Sequence, residues 1–456
     1  MDRSGLVVVS NRGPLSFELD PAGQPVATAP GGGLATTLRP LLAGSDATWV
    51  ACAMSDADRK AADQGLMGVD GISILTVEPD PAVYRMAYDV ISNATLWFVH
   101  HVLFDLTRRP RFDRRWAGAW DAYRIYNAAF AQRIAPAARE HATVLVQDYH
   151  LTLLPRMLAE RRPDLKLVHF SHTPFADPSA FTVLPDAVRH ELLSGMASAS
   201  CGFHTQRWRD AFVACCTAEG VEPPPTFVAP LAADPRGLAD RATSPACAAA
   251  AERLHRLTGD RRVVLRVDRV EPSKNLLRGF WAFDELLDRH PELRGTVVFL
   301  ALAYGSRQTL PEYLAYGTEV EQAARVVNER WATDDWTPVI LEVADDPDRS
   351  FAALTSYDVL LVNPIRDGLN LVAKEGPLVN TTDGVVVLSN EAGSVEELGT
   401  EALTINPFDV SATADALAGA LAMPAEERAR RAGALADLVR RRTPDDWLAD
   451  QVAAAG

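Results

Sequence analysis

Several stretches set charged residues where apolar runs end, a pattern suited to gripping a phosphorylated ligand. The run DVLLV (358–362) leads into NPIRDGLNLVAKEG (363–376). Asp367-Gly368 supplies a turn, and the spacing predicts a helix starting near Leu369-Asn370. A helix start presents unbonded N–H groups and the positive end of a dipole, both of which favour phosphate. Glu375, about a turn inside, can accept hydrogen bonds from vicinal hydroxyls such as those of a ribose. Gly376-Pro377 should kink the helix just beyond, because proline cannot donate to Ala373. A capping motif with a solvated Lys374-Glu375 pair explains this stretch, taken alone, equally well. VDRVEPSKN (267–275) adds Arg269 and Lys274 on either side of a proline-containing loop, where both can neutralise a diphosphate. Arg307, in YGSRQ, follows a further apolar run.

The N-terminal half carries a second group. VVSNRGP places Arg12 at the end of an apolar run, and APGGGLA (29–35) follows it. Its glycines, Gly32 and Gly33 among them, let backbone N–H groups approach a ligand closely, although the Lys-Ser/Thr ending of a P-loop is missing. A flexible linker is the competing reading. VQDYH sets Asp148 and His150 just past a run, and HFSHTPF does the same for His172. A lone histidine is more often a packing residue than a catalyst. Asp148 and His172 at the ends of two adjacent runs point instead to a site.

The elements that must position these residues are legible as short apolar runs: LVVVSN (6–11), TVLVQDY (143–149), KLVHFSH (166–172), RVVLRVD (262–268), TVVFLAL (296–302), PVILEV (338–343), DVLLVNP (358–364) and GVVVLSN (384–390). Amphipathic patterns such as LLPRMLAERR (153–162) and NLLRGFWAFDELLDRH (275–290) lie between them. Buried β-branched strands alternating with helices define an α/β protein with parallel sheets covered on both faces. The Pro- and Ala-rich segment 221–245 reads as a crossing between two Rossmann-like doubly wound domains, assigned to residues 1–235 and 236–437. The tail divides at Thr443-Pro444, and residues 438–456 should form a helix packing back on the first domain. Open parallel sheets bind ligands at their strand C-terminal ends, so the cleft between two such domains is the expected site.

Composition narrows the function. The 456 residues are 48% apolar, enough for two or three ordinary cores. A formal net charge of −15 argues against sequence-independent nucleic-acid binding, which needs a basic face. No window matches a membrane span or a signal peptide, which gives the expectation of a cytoplasmic protein. Five cysteines without CxxC or Cys/His spacing indicate neither a disulfide framework nor a zinc site. Among 45 basic residues only Lys60, Lys166, Lys274 and Lys374 are lysines, and two of them fall in the motifs above.

Taken in order, VSNR, GGLA, SNATLW, QDYH, SHTPF, DRVEPSKN, SR and RDGLNLVAKE resemble the trehalose-6-phosphate synthases, retaining glycosyltransferases of family 20, over about residues 5–450. The resemblance implies the two-domain B-type glycosyltransferase fold and transfer of glucose from a nucleotide sugar to glucose 6-phosphate, giving α,α-trehalose 6-phosphate. It implies an acceptor phosphate held by Arg12, Tyr88, Trp97 and Arg307, with Asp148 and His172 facing the sugars. It also implies that Arg269, Lys274 and the N–H groups from Gly368 through Leu369 and Asn370 to Leu371 meet the donor diphosphate. Asp367 then approaches the donor sugar, Glu375 the ribose, and Arg349 belongs to the base-reading segment. No metal or other cofactor is implied. The partners are a nucleotide-sugar donor and a sugar-phosphate acceptor, with neither nucleic acid nor membrane; a homo-oligomer is compatible with the sequence.

Two departures from the family pattern matter. ADDPDR (344–349) stands where bacterial relatives carry an aromatic residue before Asp-Arg, and acidic groups could accept from the N1 and N2 donors of guanine. GDP-glucose is therefore expected over UDP-glucose. Gly376-Pro377-Leu378-Val379-Asn380 replaces an alanine-rich helix and brings in a pseudoglycosyltransferase that couples cyclitols. The same motifs are also compatible with a glucosylglycerol-phosphate synthase and with a catalytically silent sugar-phosphate sensor.

Overall fold

The structure, a computed structural model, describes residues 4–28, 33–307 and 309–456. The chain forms two compact units, Met1–Pro230 together with Pro444–Gly456, and Leu231–Thr443. Each is built on one sheet, and all eight apolar runs become strands.

In the first unit the strand order is Thr226–Val228, Ser200–Phe203, Lys166–Ser171, Ala138–Gln147, Ser4–Val9, Thr48–Cys52, Ile72–Val77 and Gly68–Val69. Every pairing is parallel except that of the short edge strand Gly68–Val69. From Ser4–Val9 the chain builds outward in one direction, and from Ala138–Gln147 in the other. The boundary between these two strands is a topological switch point, where crossovers part to opposite faces and leave a crevice at the C-terminal strand ends. Arg12 follows one of the two strands and Asp148 the other.

The second sheet repeats the principle with the order Val339–Val343, Val297–Gly305, Arg262–Val270, Val359–Val362, Val385–Ser389 and Leu403–Ile405, all parallel. Its switch point lies between Arg262–Val270 and Val359–Val362. Arg269 and Lys274 end one strand and its loop, and Asp367 follows the other. Val359–Val362 and Val385–Ser389 are buried throughout, as strands covered on both faces must be.

Three local features differ from the sequence reading. Segment 221–245 contains the edge strand Thr226–Val228 and the helix Pro235–Ala242; three residues flanked by prolines show no period to read. The helix expected near Leu369-Asn370 starts at Val372, because Asn370 adopts a left-handed φ of 81° and its Oδ1 caps the Ala373 N–H at 3.2 Å. It runs through Pro377 to Val379, so the missing proline donor falls in its last turn, close to where the helix stops. All five cysteines are free and buried. No helix among the described residues is long and apolar enough to cross a membrane.

The tail breaks between the helices Ala425–Arg440 and Pro444–Ala453. The last helix belongs to the first unit. Its Trp447 is fully buried, with its ring 5.4 Å from Phe170 and 5.7 Å from His172. Truncating a buried tryptophan leaves a cavity that the surroundings fill only in part, so Trp447→Ala should destabilise the first unit by about 3–5 kcal/mol. A denaturant midpoint for that unit equal to wild type would show the helix to be a passive tail.

Candidate active site

In the second unit, buried and half-buried ions of alternating sign gather at the strand ends. Arg266, 1% exposed, donates to Asp268 at 2.8 Å and to the carbonyls of Asn275 and Lys274. Lys274 pairs with Asp367 at 2.5 Å, and Asn370 Nδ2 donates to the same carboxylate at 3.1 Å. Burial acts most strongly on Lys274 and would lower its pKa, but Asp367 and Asp268 outweigh it, and the net shift is upward. The ammonium is therefore held charged. Asp268 shifts upward through burial, which the Arg266 and Lys274 charges oppose.

Arg269 and Arg307 share one partner. Glu271 is fully buried; its Oε1 lies 3.0 Å from Arg269 and its Oε2 accepts from Arg307 at 2.6 Å. The loop VDRVEPSKN thus brings Arg269 and Lys274 to one strand end and recruits Arg307 from beyond the neighbouring strand Val297–Gly305. Arg266, Arg269, Lys274 and Arg307 thus alternate with Asp268, Glu271 and Asp367 at the strand ends.

Asp367 to Leu371 lies against the loop that follows Val385–Ser389. The Asp367 N–H donates to the Glu391 carbonyl, and Gly393 and Ser394 donate back to Asp367 and Leu369. A Cβ at Gly393 would sit 2.0 Å from the Gly368 carbonyl oxygen, so only glycine permits this approach. Among the described residues, the N–H groups of Leu369, Asn370 and Leu371 meet no acceptor in the protein. They open the helix Val372–Val379, an arrangement suited to an anion.

Neighbouring positions divide between ligand-facing and structural duties. Glu375 is half-buried, with its pKa raised by burial. Lys374 is instead a structural residue: 1% exposed, it donates to Glu397 at 2.6 Å and to the Leu231 carbonyl at 2.8 Å. Arg349 is also buried, paired with Glu342 at 2.6 Å and bonded to the Ala344 carbonyl. In the same loop Asp346 caps the helix Pro347–Leu354, and Asp348 pairs with Arg241 at 3.1 Å; Asp345 is exposed.

In the first unit, Arg12 is exposed in the bend after Ser4–Val9. Asn11 pins the bend by accepting from Tyr126 at 2.6 Å, and Trp49 donates to Ser10 at 2.8 Å. Residues Met86–Leu96 are wound as a π-helix, a form found often at functional sites. Tyr88 stacks between Tyr84, at 5.2 Å, and His150, at 5.6 Å. The Tyr84 hydroxyl lies within electrostatic range of both Tyr88 and Arg12. Trp97 is buried rather than open, stacked on His101 at 3.8 Å and tilted against Tyr149 at 5.7 Å. Gly33 begins the helix Gly33–Leu42, and Gly32 lies outside the described residues.

Asp148 sits in a conformation almost reserved for glycine, with φ 73° and ψ 172°. Such a backbone costs on the order of 1–3 kcal/mol and persists only where its surroundings enforce it. The Asp148 N–H donates to the Phe170 carbonyl, and its Oδ1 accepts from the His172 N–H at 3.2 Å. The two adjacent strand ends are thereby locked together. Burial, helped by His169, holds the His172 imidazole down to about 3, so the ring is neutral at physiological pH.

Sequence reasoning passes over Glu271, Gly393, Tyr84 and Gln147. Glu271 stands inside the motif that yielded Arg269 and Lys274, and a carboxylate amid cations is the available signal. Tyr84 lies one turn before Tyr88 on the same pattern. Gly393 has no sequence signal beyond being a glycine.

Two parallel sheets, each gathering its polar residues at a switch point, one of them a cationic strand end, are the fold class of the B-type glycosyltransferases. The chain matches Glycosyltransferase family 20 over residues 4–455 and belongs to that family of enzymes. It is 31% identical to the trehalose-6-phosphate synthase of Mycolicibacterium smegmatis, covering 99% of this chain and 93% of that protein. It is 30% identical to the bifunctional trehalose-6-phosphate synthase/phosphatase of Thermoproteus tenax, covering 98% of this chain but spanning only 62% of that protein's length. Among solved structures it resembles an alpha,alpha-trehalose-phosphate synthase (UDP-forming) from Burkholderia xenovorans in complex with glucose-6-phosphate. The TM-score is 0.85 at 26% identity, covering 99% of each chain.

Glu271 gives this cluster of ions a distinctive test. Glu271→Gln leaves two guanidinium groups without their shared carboxylate, and breaking such a buried pair should destabilise the second unit by about 3 kcal/mol. Added pyrophosphate supplies the missing negative charge, so it should raise the melting temperature of Glu271→Gln more than that of wild type. Equal ligand shifts in the two proteins would separate Glu271 from anion binding.

Proposed function

We propose that the chain transfers glucose from a nucleoside diphosphate glucose to glucose 6-phosphate, forming α,α-trehalose 6-phosphate with retention at the anomeric carbon. The observation that carries this reading is the meeting of Arg269, Lys274 and the unbonded N–H groups of Leu369 to Leu371 around the second sheet's switch point. A diphosphate leaving group is what such a group would stabilise. Binding alone would not call for cations concentrated where charge develops on departure, which disfavours a silent sensor.

In this reading the acceptor hydroxyl attacks the anomeric carbon on the face the diphosphate leaves. The bond from that carbon to the phosphate oxygen breaks, and the departing phosphate takes the acceptor's proton. Arg269 and Lys274 offset the charge that develops. Asp367 and Asp148 accept from sugar hydroxyls, Glu375 accepts from the ribose, and Gly32, Gly33 and Arg349 keep the donor contacts the resemblance assigns. Arg12, Tyr88 and Arg307 hold the acceptor phosphate, with buried Trp97 backing that pocket. His172 is a neutral positioning group and not a base, because both of its ring nitrogens are already hydrogen-bonded.

The cyclitol-coupling alternative draws on Gly376-Pro377, and that departure has a packing cause. A Cβ at Gly376 would lie 2.7 Å from Leu360 and 3.1 Å from the Tyr357 hydroxyl. For the donor base, Asp346 and Asp348 are committed to a helix cap and to Arg241, so the preference for GDP-glucose rests on Asp345. One carboxylate suffices to accept from both N1 and N2 of guanine.

A matrix of donors against acceptors, read by nucleoside diphosphate release, tests the function directly. Glucose 6-phosphate should be the productive acceptor, and turnover only with a cyclitol or glycerol phosphate would refute the reading. Arg269→Ala should lower kcat by about 10²–10³, as for loss of one preorganised charge contact. Asp345→Ala should reduce kcat/KM for GDP-glucose about tenfold and leave UDP-glucose unaffected. A wild-type preference for UDP-glucose would end the guanine proposal while leaving the transfer itself intact.

A further inference from the structure

The first unit contains a chain of side-chain hydrogen bonds that begins on its C-terminal helix. Gln147 Nε2 donates to Gln451 Oε1 at 2.9 Å, linking residues 304 positions apart. Gln147 Oε1 lies 2.9 Å from His172 Nε2, and His172 Nδ1 lies 3.2 Å from His204 Nε2. Both glutamines and His204 are buried, Gln451 fully so.

The chemistry of the amide gives this chain a direction. Gln147 spends its N–H on Gln451 and can offer His172 only a carbonyl oxygen, which accepts and never donates. His172 Nε2 must therefore carry the ring proton, which leaves Nδ1 as the lone pair that accepts from His204. If Gln451 presented a donor instead, Gln147 would have to turn over and His172 would have to move its proton to Nδ1. An acceptor at residue 451 thus selects the Nε2–H tautomer; Gln451 presents its Oε1 there, and its buried Nε2 meets no hydrogen-bond partner among the described residues.

We infer that Gln451 is a positioning residue that fixes His172 as the Nε2–H tautomer through Gln147. Trp447, one turn before it on the same helix, presses on His172 and Phe170 and holds the helix in register. The His172 backbone N–H simultaneously bonds Asp148. Ring and backbone of this one residue are thereby both constrained, which fixes the strained turn at Asp148. The kinetic consequence rests on the function proposed above; the tautomer does not.

The test uses the full chain with isotope-labelled histidine, His172 being assigned by comparison with His172→Asn. Nitrogen–proton correlation spectra should show only the Nε2–H tautomer in wild type and in Gln451→Glu, which keeps an acceptor at this position. Gln451→Met should show a tautomer mixture, and its kcat should fall about tenfold with KM little changed, the scale seen when an outer partner of a functional histidine is lost. Gln147→Met removes the same relay while leaving the last helix untouched, so undocking of that helix cannot produce the same result there. A pure Nε2–H signal in both methionine variants would overturn the inference. If wild type shows no transfer at all, the proposed function fails, and the spectra still decide the tautomer.

Discussion

A parallel sheet covered on both faces offers no polar surface of its own, so charge must collect where neighbouring crossovers part. The second unit shows what this constraint demands. Arginines and a lysine brought to the ends of buried strands lose most of their hydration, and isolated buried charge is strongly unfavourable. Arg266, Lys274, Arg269 and Arg307 are tolerated because Asp268, Asp367 and Glu271 alternate with them. This pairing also orients the cations beforehand, so little reorganisation is needed when a diphosphate departs.

The first unit meets the same geometric demand with backbone strain and aromatic stacking. Asp148 occupies its unfavourable conformation because the Phe170 carbonyl, the His172 N–H and His169 all bond to it. The π-helix Met86–Leu96 adds a residue per turn locally, and Tyr84, Tyr88 and His150 form one stack beside it. Both devices are rare in ordinary scaffold and accumulate where a side chain must be aimed.

Much of this was legible in the sequence, for identifiable reasons. Strands such as DVLLV and GVVVLSN are buried on both faces and read as uninterrupted β-branched runs. Arg12, Asp148, Arg269, Lys274 and Asp367 follow such runs directly, so their positions come with the strands. Ser200–Phe203 was not legible, since serine, cysteine and glycine carry little strand preference, whereas Thr48–Cys52 holds three strand formers and was passed over for its shortness. Lys374, a solvated partner of Glu375 in one of two readings of its stretch, turns inward to Glu397, because helix phase alone does not say which face the rest of the fold covers. Glu271 and Gln451 were invisible for a different reason: their importance lies in partners brought close only by folding.

Gln451 shows why that last class matters. Composition and periodicity describe a tail of amphipathic helices, and a buried glutamine on such a helix would be read as an ordinary packing residue. Its effect follows from polarity, since an amide facing an amide transmits direction, donor to acceptor, to whatever comes next. Here the next group is a neutral imidazole, whose two nitrogens differ only by the position of one proton. A helix added at the end of the chain can therefore control a proton at a strand end without touching any ligand. The same logic explains why Glu271 serves two arginines: in a dry interior, the group that satisfies a functional side chain also determines where it points.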